Sequence, residues 1–221
     1  MRPDEAVTLV VTSCGRHDLL RRTLESFCEY NTYPITRLIV VEDGSDLPSN
    51  AFILQVTNKI RHISAMTSAG GPRVGQLRAI DAAYARVKTP FIFHCEDDWT
   101  FYKPGFIEAS LKILREHRNI VTVWLREHFD TNGHPLEYNG GLELLTPAYK
   151  GEWYGFTLNP GLRRLADYQI VAPFAQYHAG PGHAGQGEAA ISKRYWELGF
   201  RAAITPDGFV RHIGVGRQVT A

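Results

Sequence analysis

The chain has 221 residues, 24 Lys and Arg against 23 Asp and Glu for a net charge of +1, and 44% hydrophobic residues. That is one large domain or two small ones, and the near-neutral balance excludes a general electrostatic grip on nucleic acid or an anionic membrane. Three widely spaced cysteines, Cys14, Cys28 and Cys95, exclude a disulfide framework and a CxxC zinc site, and no run approaches the about 20 apolar residues of a membrane span. A reduced, cytoplasmic setting is therefore expected, peripheral membrane association being left open. The start, MRPDEAVTLVV, is unlike a signal peptide, so the mature chain is expected to begin at or near Met1.

Residues 7–12 (VTLVVT) form an unbroken β-branched and aliphatic run, which predicts a strand buried on both faces and the start of a parallel sheet. After the turn at Cys14, Gly15 and Arg16, the spacing of Leu20, Thr23, Leu24 and Phe27 predicts a helix over 18–30. Residues 37–41 (RLIVV) repeat the buried-strand pattern and run into the turn Glu42-Asp43-Gly44-Ser45-Asp46. The rhythm recurs with a helix over 50–58, a strand over 61–64, a Gly/Pro loop over 69–74, a helix over 75–87 and a strand over 91–94. A helix over 104–116 and a strand over 120–125 follow. Prolines, glycines and aromatics then scatter through 126–181, which reads as a long irregular stretch covering the substrate. A helix over 188–198 and a strand over 201–204 close the chain. This alternation predicts an α/β fold with a mostly parallel sheet flanked by helices. In such sheets ligands bind beyond the carboxyl ends of the strands, which singles out residues 13–16, 42–46 and 95–99.

The strongest local signal is Glu96-Asp97-Asp98, three consecutive acids ending a buried strand, followed by Trp99. Crowded carboxylates repel unless a cation or a proton offsets them, and a hard divalent metal would do so. A solvated acidic turn is the plainer reading. Asp43, again at a strand end, would accept hydrogen bonds from a ribose or base, or else would bond its own turn. Residues 182–188 (GHAGQGE) form a glycine-rich loop entering a helix but lack the ending of a P-loop. Glu188 there is either a functional acid or a first-turn carboxylate complementing the helix dipole. His212, in VRHIG, is a candidate ligand, although a lone histidine is more often simply packed.

Taken together, these motifs resemble the family 2 inverting glycosyltransferases of the GT-A fold, over about residues 7–213 and most weakly in the middle third. VTLVVTSCGR is similar to that family's first nucleotide-facing segment, with Thr12, Ser13 and Arg16, and VVEDGS to the segment whose Asp holds the nucleoside, here Asp43. Glu96-Asp97-Asp98 is similar to the DxD motif in an EDD form, which implies Asp98 as metal ligand, or Asp97 if the alignment slips by one. GQGEAAISKRYWELGFRA resembles the segment of the catalytic acid and puts Glu188 at the general-base position, although the usual Glu-Asp pair is absent. VRHIG is similar to the C-terminal segment that supplies a further ligand, His212.

The resemblance implies one domain with a Rossmann-like sheet, its donor half over about 1–125 and its acceptor half over about 126–221. It implies a hexosyltransferase-type enzyme using Mn2+ or Mg2+ and a nucleotide diphosphate-sugar, a UDP-sugar first among them, with a glycan, lipid-linked or small-molecule acceptor. Rival readings are an inactive nucleotide- or glycan-binding module of the same fold, a sugar-1-phosphate nucleotidyltransferase, and a metal-dependent hydrolase.

Overall fold

In the computed structural model, which describes residues 3–43, 50–57, 60, 62–67, 73–177 and 184–217, the first apolar run forms β1 (Val7–Ser13), buried along its whole length. A strand covered on both faces has no side that faces water, so its sequence does not alternate. The chain continues through α1 (His17–Tyr30), β2 (Ile35–Glu42), α2 (Asn50–Val56), β3 (Ile63–Thr67), α3 (Gln76–Tyr84) and β4 (Phe91–Glu96). Then come β5 (Trp99–Phe101), α4 (Phe106–Glu116), β6 (Ile120–Trp124), β7 (Leu136–Asn139) and β8 (Leu142–Leu145). The last elements are β9 (Gly161–Arg164), α5 (Leu165–Val171), α6 (Ala184–Glu197), β10 (Arg201–Ile204) and β11 (Val210–His212).

The central sheet has the order β3-β2-β1-β4-β9, parallel except for β9, which runs antiparallel to β4. The chain moves outward from β1 to β3 and returns to the other side of β1 through β4. The boundary between β1 and β4 is thus the switch point at which a crevice opens beyond the strand ends. One face of the sheet packs Leu9, Val11, Val40 and Phe93 against Leu24 and Phe27 of α1 and Ile107 and Leu114 of α4. The other packs Val10, Ile39 and Ile92 against Leu77 and Ile80 of α3 and Ile191 and Tyr195 of α6. Burying these side chains stabilises the fold by about 1.5–3 kcal/mol each before entropy is counted. A second sheet, β6-β10-β8-β7, and the small pair β11-β5 complete the architecture.

Residues 126–181 are not the irregular stretch that the sequence predicts, since β7, β8, β9 and α5 all lie within them. Gly140 and Gly141, with φ of 60° and 88°, join β7 to β8 as a two-residue hairpin, the use to which an Asn-Gly-Gly signal is suited. β9 reads GLRR, and its two arginines hide the strand pattern although both are buried. Arg164 donates to Leu114 O, to His117 O at 3.1 Å and to Ile120 O at 2.8 Å, closing the end of α4, and pairs with Asp167 at 2.7 Å. The strand expected over 61–64 lies at Ile63–Thr67, and the helix expected over 75–87 ends at Tyr84. The helix expected from 104 begins at Phe106, because the chain first forms β5. The helix expected from 188 begins a turn earlier, at Ala184. The turn at Gly44-Ser45-Asp46, most of the loop over 69–74, and Gly182 and His183 lie outside the described residues.

Candidate active site at the strand ends

The switch point gathers charges that are far apart in the chain. Asp97, fully buried, accepts hydrogen bonds from the Ser13 hydroxyl at 3.0 Å and from Arg16 Nε at 3.3 Å, and Arg16 Nη2 pairs with its other oxygen. The Thr23 hydroxyl of α1 donates to its carbonyl at 2.7 Å, fixing the turn after β4. Thr12, buried in β1, lies between Val41 of β2 and Glu96 of β4. Arg16 Nη1 also donates to Asp98 Oδ2 at 2.9 Å, so a single guanidinium bridges both aspartates.

The last strand brings His212 to the same place. β11 pairs with β5 so that His212 lies opposite Trp99, their rings 5.0 Å apart, and His212 Nε2 is 3.3 Å from Asp98 Oδ2. Ile213 N–H donates to Asp98 O at 2.8 Å, and Gly214 has no room for a side chain because a Cβ would lie 2.4 Å from Asp98 Oδ2. Burial opposes the charge on Asp98, but the His212 contact and the Arg16 charge outweigh it and hold this carboxyl below its ordinary range. Asp97 is pushed up by its deeper burial in spite of Arg16.

Asp98 Oδ1 is buried and has no hydrogen-bond partner among the described residues. An orphaned anionic oxygen beside an imidazole is a donor pair that suits a divalent cation such as Mn2+ or Mg2+. No group of three His, Cys, Asp or Glu side chains that could hold a metal converges among the described residues.

Asp43 points elsewhere. Its oxygens accept the Val74 and Gly75 amides, both at 2.9 Å, which fixes the entry to α3. Gly75 takes φ of 90° there, a conformation open to glycine. These partners of Asp43 lie about thirty residues away in the chain, outside the turn over 42–46. Its neighbour Glu42, also buried, accepts the Gly15 amide at 2.7 Å.

Glu96 and Glu188 form a second carboxylate group. Glu96 accepts Gln76 Nε2 at 2.6 Å and Trp99 Nε1 at 3.3 Å. Burial, reinforced by the charges of Asp98 and Glu188, pushes it up to about 8. Glu188 accepts the Leu158 amide at 2.6 Å and the Thr157 hydroxyl, and burial raises it as well. It occupies the second turn of α6, so the expectation of an acid at a helix start on a flexible loop is corrected: no acid stands in that first turn. Gly187 lets α6 approach, since a Cβ there would lie 2.8 Å from Leu77 and 3.2 Å from Tyr177 O. Gln76, Thr157 and Arg163 were invisible as site residues because neutral amides, hydroxyls and an arginine inside a strand carry no motif.

Comparison with known proteins gives the family and the fold. The sequence profile of Glycosyl transferase family 2 matches residues 8–163, more than half of the chain, and the protein belongs to that family. Its fold is that of a mannosyltransferase, PcManGT from Pyrobaculum calidifontis, solved in complex with GDP-Man and Mn2+: TM-score 0.70, 15% identity, with 98% of this chain and 60% of that one covered. It is also similar to S. aureus TarS 1-349 in complex with UDP, with TM-score 0.65, 11% identity, and 93% and 59% coverage. The longer S. aureus TarS structure gives TM-score 0.63 and 10% identity, with 36% of that chain covered. At these identities the likeness is one of GT-A fold, and the chain spans about 60% or less of these neighbours' lengths. Among the described residues, no helix is long and apolar enough to cross a membrane.

Proposed function

We propose that the protein is a metal-dependent, inverting glycosyltransferase that moves a sugar from a nucleotide diphosphate-sugar to an acceptor hydroxyl. The observation that carries this reading is the buried, unpartnered Asp98 Oδ1 beside His212, with the Glu188 carboxylate across the same strand end. Family membership supports glycosyl transfer, and the GDP-Man, Mn2+ and UDP held by the neighbours support a nucleotide-sugar donor and a divalent ion. A UDP-sugar is taken first.

Asp98 and His212 would hold the ion, which when bound supplies Lewis-acid stabilisation of charge on the departing nucleoside diphosphate. Arg16 brings a fixed positive charge to the same crevice, meeting anionic oxygens locally in a chain whose net charge is only +1. Thr12 and Ser13 line the β1 side, and Asp43 bounds the nucleoside end, where its carboxylate would accept from base or ribose.

On the acceptor side, Glu188 is the general base. Its Oε1 is anchored by the Leu158 amide, and the carboxylate takes the proton from the acceptor hydroxyl as that oxygen attacks the anomeric carbon opposite the leaving group. One displacement inverts the configuration. Glu96, held by Gln76 and Trp99, keeps its own proton at neutral pH and so adds no second negative charge beside the base.

The test is a thermal-shift panel of UDP, GDP, UDP-glucose, UDP-N-acetylglucosamine and GDP-mannose, each with and without Mn2+. A ligand binding the folded state at a hundred times its Kd stabilises by about 2.7 kcal/mol. Stabilisation by one nucleotide class only with metal is expected. No shift with any of them sinks the reading.

A further inference from the structure

β9 carries a buried cation that the proposed chemistry has not used. Arg163 is 2% exposed and stands opposite Ile92 of β4, in the sheet's outermost strand. Its Nη2 donates to Thr157 O at 2.8 Å and to Asn159 O at 3.1 Å, and its Nη1 to Tyr84 OH at 3.3 Å. These hydrogen bonds all run to uncharged oxygens, and the guanidinium lies 5.1 Å over the Phe156 ring. Burying an arginine among neutral partners costs several kcal/mol unless an anion compensates it. The anion it acts on is Glu188, whose carboxylate is gripped by the turn these bonds hold.

We propose that Arg163 is a positioning residue for Glu188: by clamping the Thr157 and Asn159 carbonyls it fixes the turn whose Leu158 amide and Thr157 hydroxyl hold that carboxylate, and its charge stands behind the anion. This rests on the reading of Glu188 as the base. The groups facing the pair bear this out. On β4, His94 is fully buried with neither ring nitrogen hydrogen-bonded among the described residues, and burial and Arg163 hold it well below its ordinary range, so it is neutral. On α3, Tyr84 and Gln76 are neutral, and on α6 burial keeps Tyr195 protonated. Glu96, with Asp97 and Asp98 behind it, is the acidic neighbour on the other side. The Leu158 amide and the Thr157 hydroxyl oppose the effect of burial on Glu188, and the charge of Arg163 adds to them.

The test needs neither donor nor acceptor. Protein labelled with 13C at the Glu side-chain carboxyl is titrated by NMR, the Glu188 signal being the one missing from Glu188→Gln, and Leu158 amide exchange is followed in parallel. In Arg163→Met the Glu188 midpoint should rise by about one unit or more, with Leu158 exchange faster by about tenfold and the distant β1 amides unchanged. In Arg163→Lys the charge remains but two carbonyls cannot be held at once, so the midpoint should rise by less than in Arg163→Met while Leu158 exchange still accelerates. An unmoved midpoint in Arg163→Met, or unchanged Leu158 exchange in Arg163→Lys, overturns the proposal, and the lysine variant decides alone should the methionine variant not fold. Unimpaired sugar transfer by Glu188→Gln would remove the base reading instead, whatever the titrations show.

Discussion

Two pairs of carboxylates meet at one edge of the crevice, and the fold gives them different partners. Asp97 and Asp98 face Arg16, and Asp98 also faces His212; Asp98 is held below its ordinary range although it is buried, while Asp97 is raised by its deeper burial. Glu96 and Glu188 meet neutral amides, an indole and a hydroxyl, and both are raised by burial. Three adjacent residues thus divide into a half suited to anions and cations and a half suited to moving a proton. The lesson is that an acidic run is not a unit: Glu96 ends the strand while Asp97 and Asp98 stand in the turn after it, so the side chains enter different surroundings, and those surroundings set each charge.

The largest effect expected is on the charged half. Asp98→Ala should abolish metal-dependent transfer and the Mn2+-dependent part of nucleoside diphosphate stabilisation, read by activity and thermal shift. Full activity in excess chelator would erase the contrast between the halves. Next comes the proton half, where Glu188→Gln should lower transfer by about 10² to 10⁴, the usual size of general-base catalysis, with donor affinity within a few-fold by calorimetry. Loss of donor affinity in step with activity would make Glu188 a structural residue of the α6 packing.

A smaller effect is expected outside both halves. Asp43→Ala should weaken nucleoside diphosphate binding with or without metal, and should cost about 1–3 kcal/mol of stability because the Val74 and Gly75 amides lose their acceptor. Unchanged affinity together with lost stability would leave Asp43 a cap for α3 and nothing more.

The finest test uses pH in the absence of metal. Glu96 is raised to about 8 in the folded protein, so the folded state holds this proton more tightly than the unfolded chain. Its contribution to stability is full below the ordinary carboxylate range, falls as pH rises toward 8 and is lost above it. Glu96→Gln removes that slope. Between pH 5 and 9, the stability of Glu96→Gln relative to wild type, measured by urea unfolding, should improve by about 1.4 kcal/mol or more, the worth of one pKa unit. No change would mean that Glu96 is as ionised as Asp98.

Much of the frame was legible in the residues. The unbroken runs of β1, β2 and β4 announced buried strands, and the acids and glycines that follow them marked the strand ends. Asp98 and His212, which the family resemblance implies as ligands of one metal ion, lie 3.3 Å apart. Illegible were β9, whose GLRR has no apolar pattern, and the start of α6, where Gly185 and Gly187 read as loop because glycine disfavours a helix unless close packing requires it.

What the sequence by itself determined is the local pattern: which segments bury both faces, where turns fall and which side chains can carry charge. Only the tertiary structure decided which charge meets which. Arg16 reaches the aspartates because the strand order returns β4 to the side of β1, and His212 because β11 pairs with β5 in one register. Likewise Glu188 has its partners because α6 lies against the turn that Arg163 holds. Hydrogen bonds are satisfied at about 3 Å, and bringing groups more than eighty residues apart to that distance is a property of topology and register, which no short window of sequence contains.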